Sequence, residues 1–222
     1  MAEQLSLDLP TRASHGRGDF YVSPANAAVL ATLDDPTKWH VNKLAIVGPE
    51  GSGKSHLAAV FAAQSGGKLI GPKDLTDDVP GLAQGPLAID DADRFSDENA
   101  LFHLINLMAE RGFPLLLTAR SAPSRWSVNL PDLASRLGAV QVAELQTPDD
   151  ALLAAVLVKN FSDRGLVPPA SLVPYLVSRM ERSFAAARRL VEMLDHRSSS
   201  ENRPIGQRLA SEILDKWASD GA

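Results

Sequence analysis

The chain has 222 residues, of which 45% are hydrophobic and 22% are charged, and its net charge is −5. This length suffices for one α/β domain with a small helical domain, and the lack of cysteine excludes disulfides and thiolate metal sites, as suits a cytoplasmic protein. The acidic balance disfavours direct DNA binding, the lack of an apolar run of about 18 residues disfavours a membrane span, and the acidic start disfavours a secretory signal.

The first 18 residues are predicted to form a tail without regular structure. Leu5, Leu7 and Leu9 alternate with small or acidic residues in this polar stretch. The pattern by itself leaves two interpretations, which are a disordered terminus without function and an extended peptide that docks in a groove on a partner.

Apolar runs and helical patterns alternate through residues 19–146. Strands that alternate with helices predict parallel βαβ units, and hence a three-layer α/β domain with helices on both faces of the sheet. Ser96 is expected to cap one of the helices. The expected strands lie at 44–47, 68–70, 87–89, 113–118 and 139–142, and the expected helices at 24–33, 54–64, 96–110 and 133–137.

The pattern changes at residue 147. Four segments beyond it have helical periodicity, and no strand signal interrupts them. We therefore expect a second, all-helical domain over residues 147–222. The expected helices lie at 149–163, 169–180, 183–196 and 205–217.

The segment GPEGSGKS matches the phosphate-loop pattern G-x-x-x-x-G-K-[ST], and it follows an apolar strand and precedes a helix. Glycines let backbone N–H groups surround phosphates, the lysine reaches the β and γ phosphates, and the serine hydroxyl binds Mg²⁺. The helix after the loop points its N-terminus at the anion. The expected nucleotide-binding residues of this segment are Gly48, Pro49, Glu50, Gly51, Ser52, Gly53, Lys54, Ser55 and His56.

The third expected strand ends in two carboxylates. The segment LAIDDAD puts Asp90 at the carboxyl end of that strand, which is the edge where α/β sheets bind ligands. Asp90 is therefore expected to hold Mg²⁺ together with Ser55. Asp91 either orients an attacking water or belongs to a solvated turn with Asp93 and Arg94.

Three segments carry a resemblance to a known family. GPEGSGKSHL, the segment LPDLASRL at 130–137 and PIGQRLASEIL near the C-terminus resemble AAA+ ATPases of the bacterial replication-initiator group. Together with the tail QLSLDL, they are most similar to the small DnaA-related regulators of the Hda family. The resemblance covers nearly the whole chain and implies a tail at 1–18, an AAA+ base domain at 19–146 and an all-α lid domain at 147–222.

The resemblance also implies a partner for the tail. In Hda-like proteins a tail of this type docks on the DNA sliding clamp of the replicase. It therefore implies a clamp-binding peptide made of Gln4, Leu5, Leu7 and Leu9. DnaA carries a C-terminal helix-turn-helix domain that reads DNA, and we do not expect one here, so the resemblance favours a regulator over an initiator.

The resemblance assigns roles to further side chains. Arg136, the arginine of PDLASRL, would be an arginine finger that enters the nucleotide site of a neighbouring DnaA. The alternative is an arginine that pairs with Asp132 one turn earlier on the same helix. Phe20, Tyr21 and Val22 would contact the adenine and the ribose.

The chain departs from the family pattern at two positions. DnaA and Hda-like proteins carry an aspartate after the fourth strand, and this chain has Arg120 there, so a group that helps to position water is replaced by a cation. In the lid, the alignment leaves two candidates for the second sensor position. One is Arg188, which would face the phosphates, and the other is Ala185, which would leave the sensor absent. We therefore expect at most weak hydrolysis by the chain's own site.

These features favour a cytoplasmic inhibitor of DNA replication initiation that holds ADP or ATP with Mg²⁺ and stimulates ATP hydrolysis by DnaA. The expected partners are the sliding clamp and DnaA, and DNA would be reached only through them. We expect no contact with a membrane. A nucleotide-dependent homodimer stays an open alternative. The alternative function is an ATP-hydrolysing loader or remodeller of the helicase-loader or transposition-helper type. A metabolite kinase is disfavoured by the all-helical lid and by PDLASRL.

Overall fold

A computed structural model describes residues 22–75 and 78–220, and a five-stranded sheet forms the centre of the larger domain. The strand order is β2-β3-β4-β1-β5, and every neighbouring pair is parallel, which confirms the predicted parallel sheet. Within the described residues, no helix combines the length and the apolar character that a membrane crossing requires. The strands are β1 (Lys43–Val47), β2 (Lys68–Ile70), β3 (Leu87–Ile89), β4 (Leu115–Ala119) and β5 (Gln141–Glu144).

Two strands begin two residues later than the apolar pattern predicts. The N–H of Phe113 donates to the carbonyl of Met108, and the N–H of Val140 donates to the carbonyl of Leu137, so both residues complete the end of a preceding helix. Apolar side chains at a helix end and at a strand start look alike in sequence, and the backbone hydrogen bonds decide between them.

In the part of the chain that the structure describes, five α-helices accompany the sheet of the larger domain. The predicted cap of the fourth helix is wrong, because Asp97 rather than Ser96 accepts the hydrogen bond from the N–H of Ala100, at 2.9 Å. Both residue types are good caps, and the register of the helix selects the later one. The helices are α1 (Ala27–Leu33), α2 (Lys54–Ser65), α3 (Val79–Leu82), α4 (Glu98–Arg111) and α5 (Pro131–Gly138).

The sheet has a hydrophobic core on each face, as a three-layer arrangement requires. In β1, Ala45 and Val47 pack on the side of α3, α4 and α5, whereas Leu44 and Ile46 pack on the side of α1 and α2. Successive side chains of a strand point to opposite faces, so a strand buried on both sides reads as a continuous apolar run. This positions the loop after β1 at the carboxyl edge of the sheet.

The C-terminal part is all-helical and has a core of its own. Leu153, Phe161, Leu176 and Leu190 are among the fully buried side chains of this cluster. The second expected helix after residue 147 is shorter than predicted, since it covers only six residues. The domain boundary at residues 146 and 147 stays a prediction. The helices are α6 (Asp150–Asp163), α7 (Leu172–Val177), α8 (Phe184–Glu201) and α9 (Gln207–Asp220).

Candidate nucleotide site and partner surface

The loop at residues 48–55, hereafter the phosphate loop, joins β1 to α2. Gly53 precedes α2 with a φ of 96°, a left-handed conformation that glycine adopts without a steric penalty. The first residues of α2, Lys54, Ser55 and His56, line the hollow beside the loop, and the N-terminus of a helix favours an anion. A side chain at Gly48 would lie 2.7 Å from the carbonyl oxygen of Leu145, so this position also requires glycine.

Lys54 is held inside the phosphate loop. Its side chain is 6% exposed, and Nζ donates hydrogen bonds to the carbonyl oxygens of Gly48, at 2.8 Å, and Pro49, at 2.7 Å. Burial lowers the pKa of the Lys54 ammonium, and the carboxylates of Asp91, Asp93 and Asp90 oppose this shift, whereas the charge of Arg120 adds to it.

The loop also contains an unpartnered polar group. Ser52 is 3% exposed, and its Oγ has no hydrogen-bond partner among the described residues. A buried hydroxyl without a partner costs free energy unless a ligand or water satisfies it. The loop therefore fits a phosphate chain. It offers the Ser52 hydroxyl, the buried Lys54 ammonium and the N-terminus of α2.

A cleft opens between the phosphate loop and the helices of the lid. It consists of two adjoining hollows of about 350 Å³ and about 390 Å³, which share Gly53, His56, Phe184 and Arg188. The loop-side hollow is lined by charged residues, including Lys54, Arg94 and Arg120, and by Ser55. The lid-side hollow has an apolar wall made of Leu152, Val156 and Phe184. The cleft therefore combines a charged part for phosphates with an apolar part for a planar base.

The carboxylates after β3 are fixed by a buried hydroxyl on β4. Thr118 is fully buried, and its Oγ1 donates to Oδ1 of Asp90 and accepts a hydrogen bond of 2.9 Å from the N–H of Asp91. Asp91 has a left-handed backbone, with φ at 49°, and its carboxylate lies 3.3 Å from the guanidinium of Arg94. Asp91 therefore belongs to a charged turn with Arg94 and also lines the loop-side hollow, and its role in orienting water stays a prediction.

A magnesium ion would be held by few protein groups here. Within the described residues, no three histidine, aspartate or glutamate side chains form a metal-binding cluster. Mg²⁺ often binds through one or two protein oxygens together with the phosphates of a nucleotide. Ser55 lines the loop-side hollow, and Asp90 follows β3 close enough to Lys54 to affect its pKa, so these two oxygen ligands fit that mode.

Arg120, the residue that departs from the family pattern, lies in the loop-side hollow. Its guanidinium donates a hydrogen bond of 2.6 Å to Oε2 of Glu50 in the phosphate loop, and its N–H donates to Oδ2 of Asp93. β4 lies between β1 and β3, so a residue that follows β4 stands between the phosphate loop and Asp90.

The lid contacts the phosphate loop directly. The N–H of Phe184, the first residue of α8, donates to the carbonyl oxygen of Gly51 at 2.9 Å. Both candidates for the second sensor position, Ala185 and Arg188, line the loop-side hollow. Arg188 alone of these two brings a charge there, and it lines the lid-side hollow as well.

Arg136 lies at the opposite edge of the sheet from the phosphate loop. It is exposed near the end of α5, and its charge lowers the pKa of Lys43, although burial of Lys43 is the larger cause. Lys43 is the first residue of β1, and the phosphate loop follows the last. In the part of the chain that the structure describes, the guanidinium of Arg136 forms no ion pair or hydrogen bond, so the pairing with Asp132 is not formed.

One predicted site residue is not brought to the cleft, and six others lie outside the described residues. Val22 is 48% exposed and lines neither hollow. The predictions for Phe20, Tyr21 and the clamp-binding residues Gln4, Leu5, Leu7 and Leu9 fall outside the described residues.

Sequence reasoning missed the apolar wall of the cleft. Leu152, Val156 and Phe184 belong to amphipathic helices of the lid, where their spacing indicates packing and carries no sign of a ligand. Only the placement of α6 and α8 against the phosphate loop identifies them.

No protein-family model matches the sequence. Among solved structures, domain III of the replication initiation protein DnaA from Thermotoga maritima superposes with a TM-score of 0.75 at 19% identity, over 89% of this chain and 94% of that chain. AMPPCP-bound DnaA from Aquifex aeolicus gives a TM-score of 0.69 at 14% identity, over 90% of this chain and 68% of that chain. RuvB from Thermotoga maritima, a Holliday junction branch migration motor, gives a TM-score of 0.66 at 17% identity, over 86% of this chain and 67% of that chain. The chain therefore has the AAA+ fold that DnaA and RuvB share.

Proposed function

We propose that this chain is a nucleotide-holding regulator of bacterial replication initiation, which docks on the DNA sliding clamp and stimulates ATP hydrolysis by DnaA. The AAA+ fold, the DnaA-like segments of the sequence and the chemistry of the cleft support this proposal. Hydrolysis in the partner would convert ATP-bound DnaA to the ADP-bound form, and initiation would be inhibited.

The position of Arg136 is the observation that carries the proposal. β1 has five residues, which corresponds to about 13 Å between its ends, and Arg136 lies beside the first residue while the phosphate loop follows the last. Arg136 therefore lies towards the end of β1 that is remote from the nucleotide site of its own chain. It is exposed and free of ion pairs within the described residues, as a group that enters the site of another subunit must be.

An arginine supplied by a second subunit acts by electrostatics. A guanidinium beside the transferring phosphoryl group stabilises the charge of the transition state, and such fingers increase hydrolysis by about 10³- to 10⁵-fold. Arg136 would have this role in the site of DnaA. The helix α5 presents it, and the buried side chains of Leu133 and Leu137 anchor that helix on the sheet.

The chain's own cleft is better suited to holding nucleotide than to hydrolysing it. The carboxylate of Asp91, the residue that could orient water, is paired with Arg94, and Arg120 takes the place of the second polar group. Lys54, Ser52 and Ser55 would bind the phosphates, and Asp90 with Ser55 would hold Mg²⁺, which supplies charge neutralisation when bound. ADP or ATP would thus connect the base to the lid through Phe184 and Arg188.

Docking on the clamp would concentrate the regulator where replication has begun. Gln4, Leu5, Leu7 and Leu9 provide an alternating apolar strip of the kind that binds extended in a groove. The acidic net charge fits a protein that reaches DNA through the clamp and not by its own surface.

The test is single-turnover hydrolysis of ATP bound to DnaA, with clamp loaded on DNA. We expect wild type to accelerate hydrolysis and Arg136→Ala to abolish this effect, a loss of about 10³-fold or more if the full finger effect operates. Arg136→Lys should recover little, because an ammonium lacks the planar fork of a guanidinium. Arg208→Ala, which removes a 92% exposed lid arginine, is the matched control and should act like wild type.

A triple variant Leu5→Ala/Leu7→Ala/Leu9→Ala separates clamp docking from the finger. It should lose the acceleration with loaded clamp, while its nucleotide affinity stays unchanged. Acceleration that survives both the tail variant and Arg136→Ala would contradict the proposal.

The second candidate function is an ATP-driven loader or remodeller. The presence of Lys54, Ser55 and Asp91 in one hollow favours it, because these residues are the parts of a hydrolytic site. It predicts repeated turnover by this chain without DnaA, and loss of that turnover in Asp90→Asn. The same assay without DnaA therefore distinguishes the two functions.

A further inference from the structure

We propose that Glu50 and Arg120 form a selectivity switch for the terminal phosphate of a nucleoside triphosphate. In this switch Arg120 exchanges its bond to Glu50 for the γ-phosphate, and keeps that bond when a diphosphate is bound. The inference rests on the proposed binding of nucleotide in the cleft. It names the group that distinguishes the two nucleotides.

The bond between Glu50 and Arg120 lies in the hollow that also contains Lys54. Glu50 belongs to the phosphate loop after β1, and Arg120 follows the neighbouring strand β4, so a bond of 2.6 Å joins two segments that are 70 residues apart. Both side chains line the loop-side hollow together with Lys54. Because the lysine of such a loop reaches the β and γ phosphates, side chains that line the same hollow as Lys54 lie near the expected position of the outermost phosphate.

The electrostatics of the hollow allow the exchange. Arg120 is close enough to lower the pKa of Lys54, so both cations act on the same small volume. Within the described residues, the guanidinium of Arg120 is paired with Glu50, whereas the carboxylate of Asp91 is paired with Arg94. The side chains of Arg120 and Glu50 are 52% and 79% exposed, and exposed ion pairs contribute little to stability, so a phosphate can displace the carboxylate.

A diphosphate and a triphosphate differ in the charge that they place beside Glu50 and Arg120. A diphosphate places no charge beside Glu50, and the bond to Arg120 can remain. A γ-phosphate brings about two negative charges next to the Glu50 carboxylate. Two of its oxygens can accept parallel hydrogen bonds from a guanidinium, whereas Glu50 accepts through one carboxylate oxygen. The Glu50 carboxylate therefore lowers the affinity for a triphosphate, and the Arg120 guanidinium raises this affinity once it has left Glu50 for the γ-phosphate.

Isothermal titration of the full chain with Mg²⁺-ADP and with the Mg²⁺ complex of AMPPCP tests the switch. We expect Arg120→Ala to lower the affinity for AMPPCP by about tenfold or more, the effect of a lost charged hydrogen bond, and to change the affinity for ADP by less than about twofold. We expect Glu50→Gln to increase the affinity for AMPPCP by about two- to fivefold, because it releases Arg120.

The double variant Glu50→Gln/Arg120→Ala separates exchange from simple repulsion. If Arg120 exchanges partners, the gain from Glu50→Gln disappears in the absence of Arg120, whereas repulsion alone would preserve the gain. Arg125→Ala removes an exposed arginine that lines neither hollow, and it should bind both nucleotides like wild type. Thermal unfolding without nucleotide checks that each variant is folded.

The outcomes distinguish this inference from the proposed function. Equal losses for ADP and AMPPCP in Arg120→Ala, or no loss for either, would overturn the switch and leave the nucleotide-holding function intact. A Glu50→Gln gain that persists without Arg120 would overturn the exchange. If wild type binds neither nucleotide, this result contradicts both the inference and the nucleotide-holding part of the proposed function.

Discussion

The main-chain N–H of Phe184 donates a 2.9 Å hydrogen bond to the carbonyl oxygen of Gly51, which ties the first residue of α8 to the phosphate loop. Ser183, which caps α8 through a bond from the N–H of Ala186, packs beside the same glycine. A nucleotide that reshapes the phosphate loop must therefore also act on the orientation of the lid. The contact couples the site to the surface that the lid presents.

Gly51→Ala should disturb this contact. Gly51 has a φ of 71°, and a Cβ at this position would lie 2.9 Å from Cβ of Ser183, so the substitution adds a clash to a left-handed backbone. We expect a free energy of unfolding lower by about 1–3 kcal/mol and a weaker affinity for ADP, measured by chemical denaturation and by titration.

Gly66→Ala is the matched control for that substitution. Gly66 has a φ of 65° but nothing within 4 Å of its Cβ position, so it carries the backbone penalty without the lid contact. It should lower stability by about 1 kcal/mol and leave the affinity for ADP unchanged. Equal effects of both variants on nucleotide affinity would contradict the coupling of loop and lid.

Lys54→Ala should remove most of the nucleotide affinity. Its ammonium is buried inside the loop and would replace its bonds to the carbonyls of Gly48 and Pro49 by bonds to phosphate. A lost charged hydrogen bond of about 1.5–3 kcal/mol corresponds to an affinity for ADP lower by about 10- to 150-fold. Fluorescent-nucleotide titration measures it, with Lys68→Ala as control, because Lys68 donates to Gly81 at an exposed site outside both hollows.

Thr118→Val should destabilise the end of β3. The substitution keeps the shape but removes the buried hydroxyl that joins the carboxylate of Asp90 to the N–H of Asp91. The unpaired N–H should lower the free energy of unfolding by about 1–3 kcal/mol. Thr32→Val, which removes an exposed hydroxyl on α1 that bonds within its own helix, should change it by less than about 0.5 kcal/mol. Urea unfolding of both variants makes the comparison.

Glu98→Gln should loosen the start of the helix that carries Arg136. The carboxylate of Glu98 on α4 accepts hydrogen bonds from the N–H groups of Asn129 and Leu130, immediately before α5. An amide has one acceptor oxygen and no charge, so the substitution removes some of the hydrogen bonds that the two carboxylate oxygens accept and weakens the others. We expect a lower unfolding temperature and weaker stimulation of DnaA. Glu110→Gln, an exposed change on the same helix, should have no effect on either.

The effect of Glu98→Gln should depend on pH in a defined direction. The backbone hydrogen bond from Asn129, followed by that from Leu130, lowers the pKa of Glu98 in the folded chain below its usual value near 4.3. The stabilisation is therefore complete above about pH 5 and disappears as the pH falls through the lowered pKa. Unfolding temperatures of wild type and variant should differ at pH 7 and converge as the pH falls through the lowered pKa of Glu98. A difference that grows on acidification would contradict this role.

Local signals in the sequence predicted the parallel α/β fold correctly, and they placed the expected phosphate loop between a strand and a helix, whereas its binding of phosphate stays a prediction. The glycine spacing before Lys54, the apolar runs that became β1 and β3, and the acid after β3 each act over fewer than ten residues. Such features determine backbone conformation, because glycine permits a left-handed turn and a doubly buried strand needs apolar side chains on both faces. The cap of α4 at Asp97 instead of Ser96 shows where two equally suitable local signals compete.

Other features were decided by the tertiary structure alone. The pairing of Arg120 with Glu50, the lid wall of Leu152 and Val156, and the placement of Arg136 at the edge opposite the phosphate loop all depend on segments far apart in the chain. The sequence around a charged or apolar residue does not show which distant residue its side chain will contact. Its role depends on which elements the sheet order and the packing of the lid bring within contact distance, because electrostatic and packing interactions act over a few ångströms in space, whatever the separation in sequence.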